Sequence, residues 1–335
     1  MSVKQLKESI NESVVGKRFQ EFINHPKSNF LLIGMGYLLL LAVPFLTGSF
    51  FTRVVAEALI LGILAVAVNI ALGYVGLLTL APAAFFGIGA YSVAKIVTEY
   101  EGTYPLGVVI GVLLAAVTGF IIGYAPIKKR MEPVYFAVFT LAFGVIAYDF
   151  TYSATELTGG ANGLGFVSYP EFLGIDLGSG NPQYYFIHLM TTVVLAGIYL
   201  LLRSDYRLIL HGIRQNDRRM QYLGYNTGRE QMIAWVLSCS LSAFAGALYV
   251  GVIGLAAPSM VSFDLTGEVI IWIIVGGIGT IAGPFIAAVL LNFLEAILGG
   301  VWAEGYLIIL GILFISFVFL LPDGIIGRLD KLRER

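Results

Sequence analysis

Between Asn29 and residue 321 this chain is a succession of apolar stretches, each about as long as a helix needs to cross the hydrocarbon of a bilayer, roughly 20 residues. That recurrence excludes most folds at once. Inside a bilayer every main-chain polar group needs a partner from the protein, so a run of such segments folds as a helical bundle. They fall at 30–50, 54–72, 77–98, 105–124, 134–152, 183–202, 231–256, 266–282, 284–299 and 306–321. The expected fold class is therefore an all-α polytopic membrane protein of about ten transmembrane or partly re-entrant helices. The break between Gly283 and Pro284 is slight, so eight or nine full crossings also fit.

Charge placement orients the bundle. Lys and Arg collect in loops kept on the cytosolic side. With both termini inside, five basic residues lie in the arm 1–29, three at Lys128, Lys129 and Arg130, six in the island 203–230 and four in the tail 322–335. That is 18 of the 20, with only Arg53 and Lys95 elsewhere. The loop 153–182, outside in this scheme, has Glu156, Glu171 and Asp176 but no basic residue. The arm has mixed charge and lacks the short apolar core of a cleaved signal, so it reads as a cytosolic amphipathic lead-in. The membrane domain is then 30–321. The whole chain's net charge of −1 gives no sign of a nucleic-acid partner, and none is expected; Cys239, the single cysteine, excludes an internal disulfide or a zinc cluster.

Two apolar segments are interrupted. GYVGLLTLAPAAFFGIGAY, from Gly73 to Tyr91, places glycines at 73, 76, 87 and 89 around Pro82; VGGIGTIAGP, from Val275 to Pro284, repeats the theme with Gly276, Gly277 and Gly279. Pro82 lacks a donor and crowds the preceding turn. Paired interruptions in two halves of a membrane protein point to a transport site, because broken helices aim dipoles and free amides at a polar solute. The competing interpretation is close helix packing by small residues. The candidate path residues are Asn69, Thr79, Pro82, Gly87, Gly89, Thr140, Gly276, Gly277 and Gly279. Among other polar groups at membrane depth, Glu57, Lys95, Asp149 and Glu268 lie toward predicted outer edges. Asn69 and Asn292 are deeper and are expected to hydrogen-bond across helices, His188 reads as a helix-end histidine, and Glu295 completes the set. No spacing of His, Cys or carboxylates matches a metal site or a catalytic triad. An enzyme acting alone is therefore not expected.

Six strings carry a family resemblance: NIALGYVGLLTLAPAAFFGIGAYSVA (69–94), YFAVFTLAFGVI (135–146), LTGGANGLGF (157–166), HGIRQNDRRMQYLGYNTGREQMIAWVLSCSLSAFAGALY (211–249), IIVGGIGTIAGPFIAAVLL (273–291) and LPDGIIG (321–327). In that order the chain resembles the permease subunits of ABC importers for branched-chain and other hydrophobic amino acids, LivM type, with urea and short-chain amide permeases as relatives. The resemblance implies the ABC importer permease fold in the plasma (inner) membrane of a prokaryotic cell. It also implies a homologous second permease, two cytosolic ATPases and an extracytoplasmic solute-binding protein as partners. The chain has no G-x-x-x-x-G-K-S/T phosphate loop, so it holds no cofactor of its own, and ATP and Mg fall to the partner ATPases.

In such permeases the island 203–230 is the ATPase-coupling loop. Ile213 to Asn226 carries the family pattern at Arg214, Asn216, Leu223, Gly224 and Asn226; Arg214, Asn216, Asp217, Arg218, Leu223 and Gly224 are the candidate coupling residues. The stretch is expected to form a helix of about four turns ended by a glycine, while Arg203, Arg207 and Arg229 read as topogenic. The chain departs from its relatives at Leu77 and Pro82, losing a glutamine and a histidine, and at Val145, where many carry Glu. An apolar path flanked by Thr79 and Thr140 suits a hydrophobic amino acid better than urea. An ion-coupled transporter or channel is the alternative of another class, and it would call for acids near the midplane.

Overall fold

A computed structural model describes residue 36, residues 40–165, 167, 171–172, 175–177 and 180–301, and a few positions beyond. The arm 1–29, the tail 322–335, residues 30–35 and 37–39 of the first segment and most of the segment at 306–321 lie outside the described residues. Besides single helical turns such as Val43–Leu46 and Thr155–Thr158, the helices are α1 (Ser49–Asn69, continued by a π-helical turn, Ile70–Val75), α2 (Pro82–Thr98), α3 (Tyr104–Lys128), α4 (Pro133–Ser153), α5 (Asn181–Arg203), α6 (Tyr206–Gln215), α7 (Asp217–Tyr222), α8 (Thr227–Ile253), α9 (Phe263–Gly276) and α10 (Ala282–Val301). Six of the described helices are long and apolar enough to cross a membrane: α1 with its π turn, α3, α4, α5, α8 and α10. Of the ten segments expected, six are such long helices among the described residues, and the two interrupted segments give the shorter α2 and α9.

α1 is the axis of the bundle. It is apolar on every side and packs against α5, α8, α9 and α10, which leaves 89% of its most apolar stretch buried. An all-round apolar helix is what a central position in a bundle demands. α3 is two-faced in a different way. Gly107, Gly111, Ala115, Gly119 and Gly123 recur every fourth residue and are all buried, whereas Val109, Leu113, Val117 and Ile121 are exposed. The small residues form a ridge that admits α2 and α8: a Cβ at Gly107 would stand 2.8 Å from the Val93 backbone, and one at Gly119 would stand 2.9 Å from Cys239 Sγ. Trp235 Nε1 donates to the Gly119 carbonyl across the same contact (2.7 Å), and its ring meets Phe85 and Phe136 edge-on. With little hydrophobic force between helices in lipid, close backbone approach of this kind holds them together.

The loops sort to two ends. At one, Leu164–Gly165 pairs antiparallel with Leu255–Ala256, and Lys95 Nζ donates to the Glu156 carbonyl (2.8 Å). These two-residue strands and the Glu171–Phe172/Ile175–Asp176 pair are the only strands among the described residues. At the other end the island contacts the π turn of α1. Arg53 and Lys95, the two basic residues outside the expected cytosolic set, are each bound to a glutamate one turn on, Glu57 at 3.0 Å and Glu99 at 2.5 Å. Each outlier from the charge bias is thereby locally neutralised.

Two expected boundaries move. The break expected between Gly283 and Pro284 lies at Gly277–Ile281; Gly283 and Pro284 sit in the first turn of α10, where a missing donor does no harm. The single helix expected from Ile213 to Asn226 is two, α6 and α7, meeting at Asn216. Asn216 is extended (φ −161°, ψ 96°) and its Oδ1 accepts from the Arg219 amide at 2.9 Å, so an N-cap starts a new helix there.

Candidate functional site: the two helix breaks and the polar island

The first interruption follows from local chemistry. The amides of Gly76 and Leu77 both turn back to the Ala71 carbonyl, and Gly76 adopts φ +83°, which closes α1 and frees later carbonyls, Gly73 among them. Leu77–Ala81 is then non-helical until Pro82 opens α2 at a helix-starting position. Bare main chain at this depth needs side-chain partners. Thr140, fully buried in α4, accepts from the Leu80 amide (3.0 Å) and donates to Ala137; Thr79, 2% exposed, accepts from the Ala81 amide (3.3 Å). Both candidate path threonines therefore satisfy the unwound backbone.

The second interruption is a tight turn. Gly277 and Gly279 take φ +112° and +86°, and Gly276 lies so close to Gly283 that a Cβ on either would overlap the other's backbone. Asn69, at the end of α1 and wholly buried, joins the two breaks. Its Nδ2 donates to the Thr280 carbonyl (2.6 Å) and its Oδ1 accepts from the Gly279 amide (2.9 Å). Gly73 makes room for this: a Cβ there would collide with Asn69 Oδ1 and the Gly279 backbone. Asn69 thus bonds across elements as expected, whereas Asn292 Nδ2 donates to Ala288 in its own helix (2.8 Å), correcting the expectation of a cross-helix bond.

Arg214 brings the island to the same point. Its Nη1 donates to the carbonyl of Gly73, and it stands 3.0 Å from where a Cβ on Gly279 would be. A guanidinium thereby lies against the carbonyl end of α1, where its charge also meets the negative end of the helix dipole.

The other candidates divide. Gly87 is closed by Val261 and Gly89 by the Ala243 main chain, so both serve close packing. In the island, Gln221 Nε2 donates to Asp217 Oδ2 (2.8 Å) and Thr227 Oγ1 (2.9 Å), a brace between α7 and α8 that the sequence reading passed over. Arg218, Leu223 and Gly224 face outward, and with Tyr222 at 89% and Leu223 at 67% exposure the island ends in an apolar tip. Gly224, at φ +90°, terminates α7 as expected. Asn226 Oδ1 caps α8 through the Arg229 amide (3.2 Å), a signal present in the sequence as Asn followed by Glu230. Burial and the neighbouring Glu230 push the Tyr206 hydroxyl up to about 12, so it remains a neutral phenol. Of the remaining polar groups at depth, His188 is buried and stacks on Tyr184, Asp149 is exposed, and Glu57, Glu268 and Glu295 are half-buried. No group of three His, Cys, Asp or Glu among the described residues is placed to hold a metal ion.

Comparison with known proteins bears on this arrangement directly. Residues 50–318 match the family described as branched-chain amino acid transport system / permease component. The chain is 26% identical over 314 residues to the high-affinity branched-chain amino acid transport system permease protein LivM of Escherichia coli (strain K12), covering 86% of this chain and 73% of that protein. The LivM protein of Salmonella typhimurium matches with the same identity and coverage. No solved structure matches. The matched region takes in α1 to α10, and so both helix breaks, Asn69 and the island that Arg214 belongs to: the chain is an integral membrane protein of the branched-chain amino acid transport system permease family.

Proposed function

We propose that this chain is the translocating subunit of an ATP-driven importer in the plasma membrane, moving a branched-chain or similarly hydrophobic amino acid inward. A second permease, two ATPases that bind ATP and Mg, and an extracytoplasmic binding protein complete the assembly. The observation that carries the reading is the Arg214–Gly73 hydrogen bond. It ties the polar island to the interrupted end of the central helix, and Asn69 extends the tie to the second interruption.

In this mechanism the ATPases grip the apolar tip around Leu223. Nucleotide-driven movement of the tip reaches α6 through the α6–α7 elbow at Asn216. Arg214 then shifts against the Gly73 carbonyl, and the two breaks move as a unit because Asn69 holds them. Packed side chains and hydrogen bonds between rigid elements can carry such a stroke from one site to another. The threonines of the unwound stretch are occupied by main chain, which leaves an apolar surface and favours a hydrophobic solute over urea.

The test is reconstitution of the chain with its partner subunits in proteoliposomes, supplied with binding protein and radiolabelled leucine. ATP-dependent leucine uptake that urea does not compete is expected. Uptake by this chain without ATPases, or by a gradient alone, would overturn the proposal.

A further inference from the structure

A cavity of about 850 Å³ opens between the island-end halves of α3 and α8. Its mouth carries Lys128, Arg130 and Arg229, and no carboxylate stands within ion-pair distance of any of the three among the described residues. Arg130 is exposed, in the left-handed turn (φ +53°) that follows α3. Lys128 Nζ is drawn back along the groove, donating to Tyr124 Oη at 3.0 Å and lying 5.0 Å from the centre of that ring. Below the mouth the walls are apolar, and they open sideways: Tyr124 is 48% and Ile233 43% exposed.

The depth of the groove identifies an occupant. The lining runs along α8 from Arg229 to Ser240, which at 1.5 Å per residue is about 16 Å. Half the hydrocarbon thickness of a bilayer is about 15 Å. A cationic mouth over an apolar trough one leaflet deep has the dimensions of a phospholipid with an anionic headgroup. A soluble anion would use only the mouth, and a cytosolic protein would not enter hydrocarbon.

We propose that this groove binds an anionic phospholipid of the leaflet on the island's side, its phosphate between Lys128, Arg130 and Arg229 and an acyl chain along α8. Basic pockets between transmembrane helices on the cytosolic side recognise such headgroups, each cation strengthening binding about fivefold. The site stands apart from the helix breaks and does not depend on the transported solute. Because Arg229 sits at the start of α8, beside the α7–α8 brace, a bound lipid would stiffen the base of the island.

The assembled complex, delipidated in mild detergent, is titrated with phosphatidylglycerol, phosphatidylcholine and sn-glycerol 3-phosphate, and binding is read by native mass spectrometry. Phosphatidylglycerol is expected to bind at least about tenfold more tightly than phosphatidylcholine. The combined Lys128→Gln, Arg130→Gln and Arg229→Gln variant is expected to lose that preference. Ile233→Trp keeps the cations but fills the trough, and it is expected to lose phosphatidylglycerol binding as well. Should the triple variant fail to assemble, Arg130→Gln alone is expected to weaken binding about fivefold. Equal binding of both lipids by the unaltered complex, a preference that survives the charge substitutions, or displacement of phosphatidylglycerol by glycerol phosphate would each overturn the assignment.

Discussion

The Arg214 guanidinium, carried on the polar island, donates a hydrogen bond to the Gly73 carbonyl, 141 residues earlier in the chain and at the point where the central helix unwinds. A charge-assisted bond of this kind contributes about 1.5–3 kcal/mol. It joins the polar island to the part of the molecule that interrupts the membrane helices.

Replacement of Arg214 by Ala is expected to leave assembly intact and to lower ATP-driven uptake about tenfold or more, a loss in line with one charged hydrogen bond. Lys at 214 keeps the charge without the planar fork and should restore only part of the rate. Parallel measurement of ATPase activity and uptake in proteoliposomes checks this; unchanged uptake by the Ala variant would remove Arg214 from the mechanism.

Asn69→Ala deletes two buried hydrogen bonds and leaves the Gly279 amide and Thr280 carbonyl without them. The expected cost is about 2–4 kcal/mol, read as a lowered melting temperature of the purified complex. Asn69→Asp keeps the acceptor for Gly279 but sets a second, charged oxygen against the Thr280 carbonyl in a fully buried position, so it should destabilise at least as much as the Ala variant.

Gly89 and Gly246 mark a crossing of α2 and α8 at which a Cβ on one would overlap the Ala243 carbonyl and a Cβ on the other the Phe86 carbonyl. Ala at either position is expected to destabilise the protein by about 1–3 kcal/mol, the range for overpacking. Gly197→Ala in α5, where nothing lies within 4 Å, should instead stabilise by about 0.5–1 kcal/mol. Thermal unfolding of the three variants side by side decides it, and equal shifts would refute the packing account.

Leu223→Asp places a charge on the exposed tip without touching the interior. Pull-down of the ATPase subunits with this variant is expected to weaken about tenfold, as for loss of an apolar anchor of about 1.5 kcal/mol or more, while the melting temperature of the isolated chain stays unchanged. Undiminished capture would place the ATPase contact elsewhere on the island.

The breaks in α1–α2 and α9–α10 were legible because glycine and proline act on their own backbone, so Gly76, Pro82, Gly277 and Gly279 announce themselves locally. What fills the breaks was not legible. Asn69 and Thr280 stand 211 residues apart, and nothing in either neighbourhood names the other. Thr140 was singled out as flanking an apolar path, but its hydroxyl serves the Leu80 amide, a role visible only once α4 lies beside the unwound stretch. The helix expected over Ile213–Asn226 divided because Asn216 makes a better cap than an interior residue, a preference that the arginines around it obscured. The ridge of small residues along α3 was open to view at a spacing of four, yet glycine attracted notice only where it clustered.

α1 is enclosed by helices made much later: α10 begins about 200 residues downstream, which at roughly 5–20 residues per second of synthesis is about 10–40 s. For that interval the helix has lipid where it will later have neighbours. Its largely apolar surface suits both solvents; Arg53 and Glu57 near its start neutralise each other, and Asn69, the polar side chain at its far end, waits for Gly279 and Thr280. The nascent chain thus carries its future axis as a finished helix and its future joint as an open bond, closed last.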